Sequence, residues 1–258
     1  MILDSCDIYD LEKAKYLLEN RGLAAKLTDM FGTPIERGFE MLPQNWKDRV
    51  GLITHSALSK ALSTAVITLK DRPCRKSSNF WHKLAVGTTG GVGGFFGLTA
   101  LAIELPISTT IMLRSIADIA RSEGEIIKSP QTQLSCMEVF ALSGKKDTDD
   151  MHDSAYFTAR AALASSLSRA AEFIAERGLV DGSPALVRFI LQISERFSVP
   201  VSEKVVSQAI PAIGSAGGAI INTLFINHFQ DMARGHFTVR RLERKYGKEV
   251  VQIAYEQI

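Results

Sequence analysis

The sequence predicts an all-α protein: a multi-helix bundle with two glycine-rich helical hairpins packed at its centre. Three observations lead there. Apolar residues recur at helical spacing along most of the chain. Two long runs, Leu84–Ile103 and Val205–Gln230, contain no Asp, Glu, Lys or Arg and carry glycines four residues apart. Prolines and glycines fall where helices start and stop.

In chain order, residues 8–22 form an amphipathic stripe through Ile8, Leu11, Ala14, Leu17 and Leu18, ended by Arg21-Gly22. Leu23–Phe31 is a short second helix. Thr33, Pro34 and Glu36 have capping-box spacing with proline at the first helical position. After Pro43 a long helix is expected over 44–71, with Val50, Ile53, Leu58, Ala61, Leu62, Ala65 and Val66 on its apolar side, followed by a polar loop over 71–79. The first charge-free run comes next, with Phe80 and Trp81 at its entrance. Pro106 is expected to bend or restart the helix. Residues 107–125 then place Arg114, Asp118, Arg121 and Glu125 on one face, as oppositely charged neighbours. GKKDTDD (144–150) reads as a loop between halves. A helix over 150–177 is capped by Gly178, and Ser183-Pro184 starts another that runs to about Phe197. Pro200 precedes a further helix, and the last two are expected over 229–246 and 249–257.

The first run holds Gly87, Gly90, Gly91, Gly93, Gly94 and Gly97. Glycine costs a helix interior about 1 kcal/mol against alanine. Such a run makes sense where backbones must approach closely, as in small-xxx-small packing. It has no phosphate-loop order, because the required lysine is absent. Its length suits a membrane-inserted hairpin or a buried hairpin of closely packed helices. The second run repeats the pattern with Pro211, Gly214 and Gly218. Two runs of one kind, each followed by an arginine-bearing amphipathic helix, suggest a weak internal duplication.

At 258 residues the chain is long enough for one well-filled core. The net charge of +2 provides no field for nucleic acid. The basic stretch RRLERK (240–245) reads as a solvated helix face, with contact to an anionic membrane as the sharper alternative. Cys6, Cys74 and Cys136 have neither disulfide-framework nor zinc-knuckle spacing, which suits a reducing compartment. The first fifteen residues lack the pattern of a secretory signal. The expected location is the cytoplasm or the cytoplasmic face of the membrane.

Two long stretches resemble a known family. GGVGGFFGLTALAIELPISTTIMLRSIADIARSEGE (90–125) and RFSVPVSEKVVSQAIPAIGSAGGAIINTLFINHFQDMARGHFTVRRLERKYG (196–247) are similar to the signatures of the EcsC family, and the likeness extends to the helix around 50–69. It implies one helical domain over 1–258, within which the charged loop at 144–150 would separate halves 1–146 and 147–258. The family is mainly bacterial and is named after a protein encoded beside an ABC transporter. The resemblance therefore implies proximity to a membrane. It brings no catalytic residue to map.

The residues that could carry chemistry cluster near the proline breaks. His228, Asp231 and His236 spread over one broad helix face and are the candidate metal ligands, although their spacing matches no established motif. Glu104, Arg114, His228 and Asp231 are the candidate catalytic residues. Glu104 closes a charge-free run and must be solvated or paired. Its functional pairing would be with His228 or Arg234; a structural ion pair with another segment is the plainer expectation. Ser108, Thr109 and Thr110 could bond the carbonyls that Pro106 frees. Cys136 reads as a buried, inert thiol.

The expected function is that of a membrane-associated accessory protein. It would contact lipid or a membrane or transporter partner through the hairpins, with no resident cofactor. The alternatives are a soluble helical-bundle enzyme, in one version metal-dependent, and a lipid- or small-molecule-binding bundle with its cavity between the hairpins.

Overall fold

The computed structural model describes residues 3–19, 22–31, 39, 45–68, 97–143, 154–180, 182–209 and 214–258. These residues form nine α-helices and no strand, so the chain is all-α. The helices are α1 (Ser5–Glu19), α2 (Leu23–Phe31), α3 (Trp46–Thr68), α4 (Gly97–Ser122), α5 (Pro130–Glu138), α6 (Ala155–Arg177), α7 (Pro184–Ala209), α8 (Gly214–Tyr246) and α9 (Lys248–Gln257). A 3-10 turn, Val139–Ala141, follows α5.

Several local signals act as expected. Gly178 ends α6 at φ +74°, and its N–H donates to the Ile174 carbonyl. Ser183 Oγ accepts from the Leu186 N–H, and Pro184 occupies the first turn of α7. The capping-box residues 33–36, Phe80, Trp81, Cys74, the loop 144–150, Pro211 and Gly87, Gly90, Gly91, Gly93 and Gly94 lie outside the described residues.

Neither Pro106 nor Pro200 restarts a helix. Pro106 lies inside α4 and Pro200 inside α7, and each helix runs on for 26 residues. Proline at 106 removes the donor for the Ala102 carbonyl. The neighbouring hydroxyls do not replace it: Ser108 donates to Leu105 O and Thr110 to Pro106 O, while Thr109 Oγ1 has no partner among the described residues. The loss is carried by packing instead, since Leu101, Leu105, Met112 and Leu113 of α4 are all buried. Likewise α8 is one 33-residue helix, where a break near 229 is expected from the sequence. At 1.5 Å per residue it is about 50 Å long.

This helix is the spine of the bundle. It buries Ile221, Phe225, Phe229, Met232, Phe237, Val239 and Leu242. Phe229 meets Phe225, Phe197 of α7 and Phe140 of the 3-10 turn, and Phe197 meets Phe225 and Phe140, with ring centroids 4.8–6.1 Å apart. Such contacts add about 1 kcal/mol per pair beyond area burial. Helix α4 runs parallel to α8: Gln230 Nε2 donates to Ser115 Oγ at 2.9 Å and Arg240 to Glu125 at 2.8 Å, both at a sequence offset of 115. The two charge-free runs thus enter helices of the same direction. No helix among the described residues is long and apolar enough to cross a membrane.

Helix α1 lies antiparallel on α8. Its Asp7 meets Arg241, Lys245 and Tyr246, while Ala14 and Leu18 meet Gly235. A Cβ at Gly235 would stand 2.6 Å from Leu18 Cγ and 2.9 Å from the Ala14 carbonyl oxygen. This is where a glycine lets two helices approach closely. At Gly218, a predicted packing position, a Cβ would meet nothing within 4 Å.

RRLERK is not a free basic face either. Arg240 pairs with Glu125, Arg241 with Asp7, Asp10 and Glu123, Arg244 with Glu125, and Lys245 with Asp7. Hydrogen bonds from Lys245 and Tyr246 hold the Asp7 carboxyl below its usual range.

Gly235→Ala is expected to lower stability by about 1–3 kcal/mol through overpacking. Gly218→Ala is expected to raise it by up to about 1 kcal/mol. Chemical denaturation of the two variants checks both signs.

Candidate functional site

The residues singled out from sequence do not form one centre. Glu104 pairs with Lys204 of α7, whose Nζ donates to both carboxylate oxygens at 2.9 and 2.8 Å. Lys204 is 1% exposed and its ammonium lies 4.8 Å from the Phe225 ring centroid. The partner is therefore neither His228 nor Arg234. Arg234 instead reaches Asp231 at 2.9 Å, one helical turn away. Asp231 also faces Lys26 of α2 at 3.9 Å and is part-exposed. On α4, Arg121 pairs with Asp118 at 3.0 Å as the spacing suggests. Glu125 leaves that face for Arg240 and Arg244.

His228 and His236 are both buried, on different partners. His228 Nε2 shares a hydrogen bond with Ser143 Oγ, and its Nδ1 has no partner. Burial first, and the charge of Lys26 second, push its pKa down to about 3. His236 Nδ1 shares a 3.0 Å hydrogen bond with the Tyr156 hydroxyl, and its Nε2 lies 3.7 Å from Glu138 Oε2. Burial, then Arg160 and Arg240, hold its pKa well below the ordinary value. Among the described residues no group of three or more His, Cys, Asp or Glu stands close enough to hold a metal ion. His228, Asp231 and His236 are thus not gathered as ligands. The α8 helix is continuous, so three residues spread over a broad arc diverge to different neighbours. Cys136 is buried, and desolvation raises its pKa, as expected of an inert thiol.

His236 instead belongs to a polar cluster that the sequence does not reveal. Glu138, at the end of α5, is 4% exposed, and burial pushes its pKa up to about 7. It is faced by Tyr156 and Arg160 of α6, His236, Arg240 and Glu243 of α8, and Lys248 of α9. Arg160 grips Glu243 with two parallel hydrogen bonds of 2.7 and 2.9 Å, and its guanidinium lies over the Tyr156 ring at 5.3 Å. Arg240 grips Glu125 at 2.8 and 3.2 Å. Burial opposes the Glu125 charge, but the bonds and charge of Arg240 outweigh it and lower the pKa. Each buried guanidinium thus has a carboxylate, while Glu138 accepts no hydrogen bond from the described residues.

The cluster forms the floor of a cleft of about 530 Å³ between α6 and α9. Phe157, Ala161, Ala164 and Leu167 line one wall, and Lys248, Gln252 and Glu256 the other. Its volume is within the range of small-molecule sites. The predicted cavity between the hairpins is a different place. Glu138 was hidden from sequence reasoning because α5, nine residues beginning with proline, has no amphipathic stripe to announce a buried face.

The ion pairs and buried groups make three measurable contributions. Lys204→Met is expected to cost about 3 kcal/mol, since it leaves Glu104 largely buried and unpaired; adding Glu104→Met should recover most of it. Denaturation of the single and double variants measures this. Glu138 holds its proton more tightly folded than at the ordinary 4.5. Wild-type stability from this group is full below pH 4.5 and is lost as pH rises toward 7. Glu138→Gln does not titrate, so it should gain about 3 kcal/mol relative to wild type between pH 4.5 and pH 8. His228 acts in the opposite direction: its folded pKa lies below the ordinary 6.5, so its contribution is lost as pH falls from 6.5 toward 3. Urea unfolding of wild type and Glu138→Gln from pH 4.5 to 8 separates the two.

No curated protein and no solved structure shows significant similarity to the chain. The model of the EcsC protein family matches residues 7–242, which takes in most of α1 through most of α8 and every residue of the cluster except Glu243 and Lys248. With the match extending over nearly the whole chain, this protein belongs to the EcsC family.

Proposed function

We propose that this protein is a membrane-associated accessory protein, acting at the cytoplasmic face and contacting lipid through the end of the bundle where its two charge-free runs meet. The observation that supports this is local. Ile103 is 67% exposed and Ile107 43% exposed on α4, and Ile220 is 42% exposed on α8. The parallel register, with its offset of 115, puts Ile220 level with the segment between Ile103 and Ile107.

Charge at this level is neutralised: Glu104 is closed by Lys204, and the ammonium is covered by Phe225. Exposed apolar residues beside a satisfied ion pair suit a surface that leaves water. Two uncharged stretches, the glycine-rich 84–96 and the proline-containing 210–213, lead directly into the same helix starts. Contact would be peripheral or by a shallow hairpin, since no described helix has the length and apolarity to span. A transporter partner would be met through the same end.

The test is fractionation of the expressed chain with a carbonate wash and a detergent control, together with flotation on vesicles of phosphatidylethanolamine and phosphatidylglycerol. Wild type should float with the vesicles. Ile103→Glu/Ile107→Glu, which alters two exposed positions, should lower the bound fraction at least roughly tenfold. Wild type that stays in the soluble fraction and ignores the vesicles would overturn the proposal.

A further inference from the structure

The cleft between α6 and α9 lies away from the lipid-facing end and has a chemistry of its own. Its floor contains unspent hydrogen-bond donors. Arg160 uses Nη1 and Nη2 on Glu243, leaving Nε–H; Arg240 uses Nε and Nη2 on Glu125, leaving Nη1. Lys248, at the start of α9, has no ion-pair partner among the described residues. Glu138 sits among these cations, 4% exposed, and accepts no hydrogen bond from the described residues. The Nε2 of His236, 3.7 Å away, is also without a partner.

The acids of the cleft do not compete for these donors. Glu243 is held by Arg160, and Glu256 accepts from Gln252. Glu256 is eight residues beyond Lys248, about 12 Å of helix rise. The α6 wall is mixed: Phe157, Ala161, Ala164 and Leu167 give an apolar strip about 15 Å long, with Thr158 and Ser168 beside it. Ala161 and Ala164 are exposed in that stretch. A cationic ligand would meet Lys248 and the two arginines. A bare inorganic anion would leave the α6 wall uncovered.

We propose that this cleft binds a small amphiphilic acid, a single-chain alkyl carboxylate, with its head on Arg240, Arg160 and Lys248 beside the Glu138 carboxyl and its chain against α6. The proposal does not depend on lipid contact at the other end. Protonated Glu138 donates to the carboxylate head, and ionised Glu138 repels it. Its pKa of about 7 makes binding pH-dependent, with the proton staying on Glu138 below that pH. The facing groups set the background: Arg160 and Tyr156 on α6, Arg240, His236 and Glu243 on α8, and Lys248 on α9.

The experiment is calorimetric titration of the full chain with dodecanoate below its micellar range, with dodecanol and acetate as single-feature controls. Dodecanoate should bind saturably at one site, and each control at least tenfold more weakly. Above pH 7 the affinity should fall about tenfold per pH unit. Glu138→Gln should bind with no such slope, and Lys248→Ala should bind about tenfold more weakly. Ala164→Trp, at an exposed position that does not test folding, should block the cleft and abolish binding. Binding that survives Ala164→Trp, that is equal for dodecanol, or that is absent altogether would overturn the proposal.

Discussion

Burying guanidinium groups inside a helical bundle is permitted only if each one finds a carboxylate, and most of this structure follows from that condition. Arg160 and Arg240 are both largely out of water. Their partners, Glu243 and Glu125, are each more than nine-tenths buried. Removing a charge from water costs several kcal/mol, and two well-aligned hydrogen bonds offset it only when the geometry is held from both sides. Glu125 is held by Thr132 as well as by Arg240 and Arg244, which fixes the chain between α4 and α5 against the end of α8. Arg160 ties α6 to the same end of α8. Arg241 and Lys245 draw in α1 through Asp7 and Asp10. The C-terminal third of α8 is thus a hub on which three segments close: the α4–α5 connection, α6 and α1.

The other end of the bundle is organised differently. There Phe225, Phe229, Phe197 and Phe140 fill the space between α7, α8 and the 3-10 turn, and Lys204–Glu104 is the polar contact above them. Parallel placement of α4 and α8 puts the starts of both helices on this side. One end is thus cross-linked by charge, and the other is built on aromatic packing with the Lys204–Glu104 ion pair beside it. The proposed lipid contact lies at the apolar end, and the proposed acid site draws on the charged hub. The cleft owes its donors to the same arginines that hold the fold, because a bidentate grip on one carboxylate leaves part of each guanidinium unused.

The helical class, the caps at Gly178 and Ser183, and the family were legible in the chain itself, because they rest on spacing along the sequence. Glu104 needed a partner by the cost of burying a charge, and it has one. Its identity was not legible, since Lys204 is a hundred residues away and no local rule selects it. The proline breaks failed for a related reason. Packing along α4 and α7 carries both helices through Pro106 and Pro200, and a propensity cannot weigh contacts not yet formed.

What the sequence determined by itself is therefore the local and periodic part: helices, their faces, their ends, and two stretches without charge. Only the tertiary structure decided which glycine lies in a close helix crossing, Gly235 and not Gly218. It also decided that His228, Asp231 and His236 diverge, and that Glu138 is buried beneath a cleft. The physical reason is the same in each case. Burial, pairing and desolvation depend on what arrives from distant segments, and those distances are set by packing, not by position along the chain.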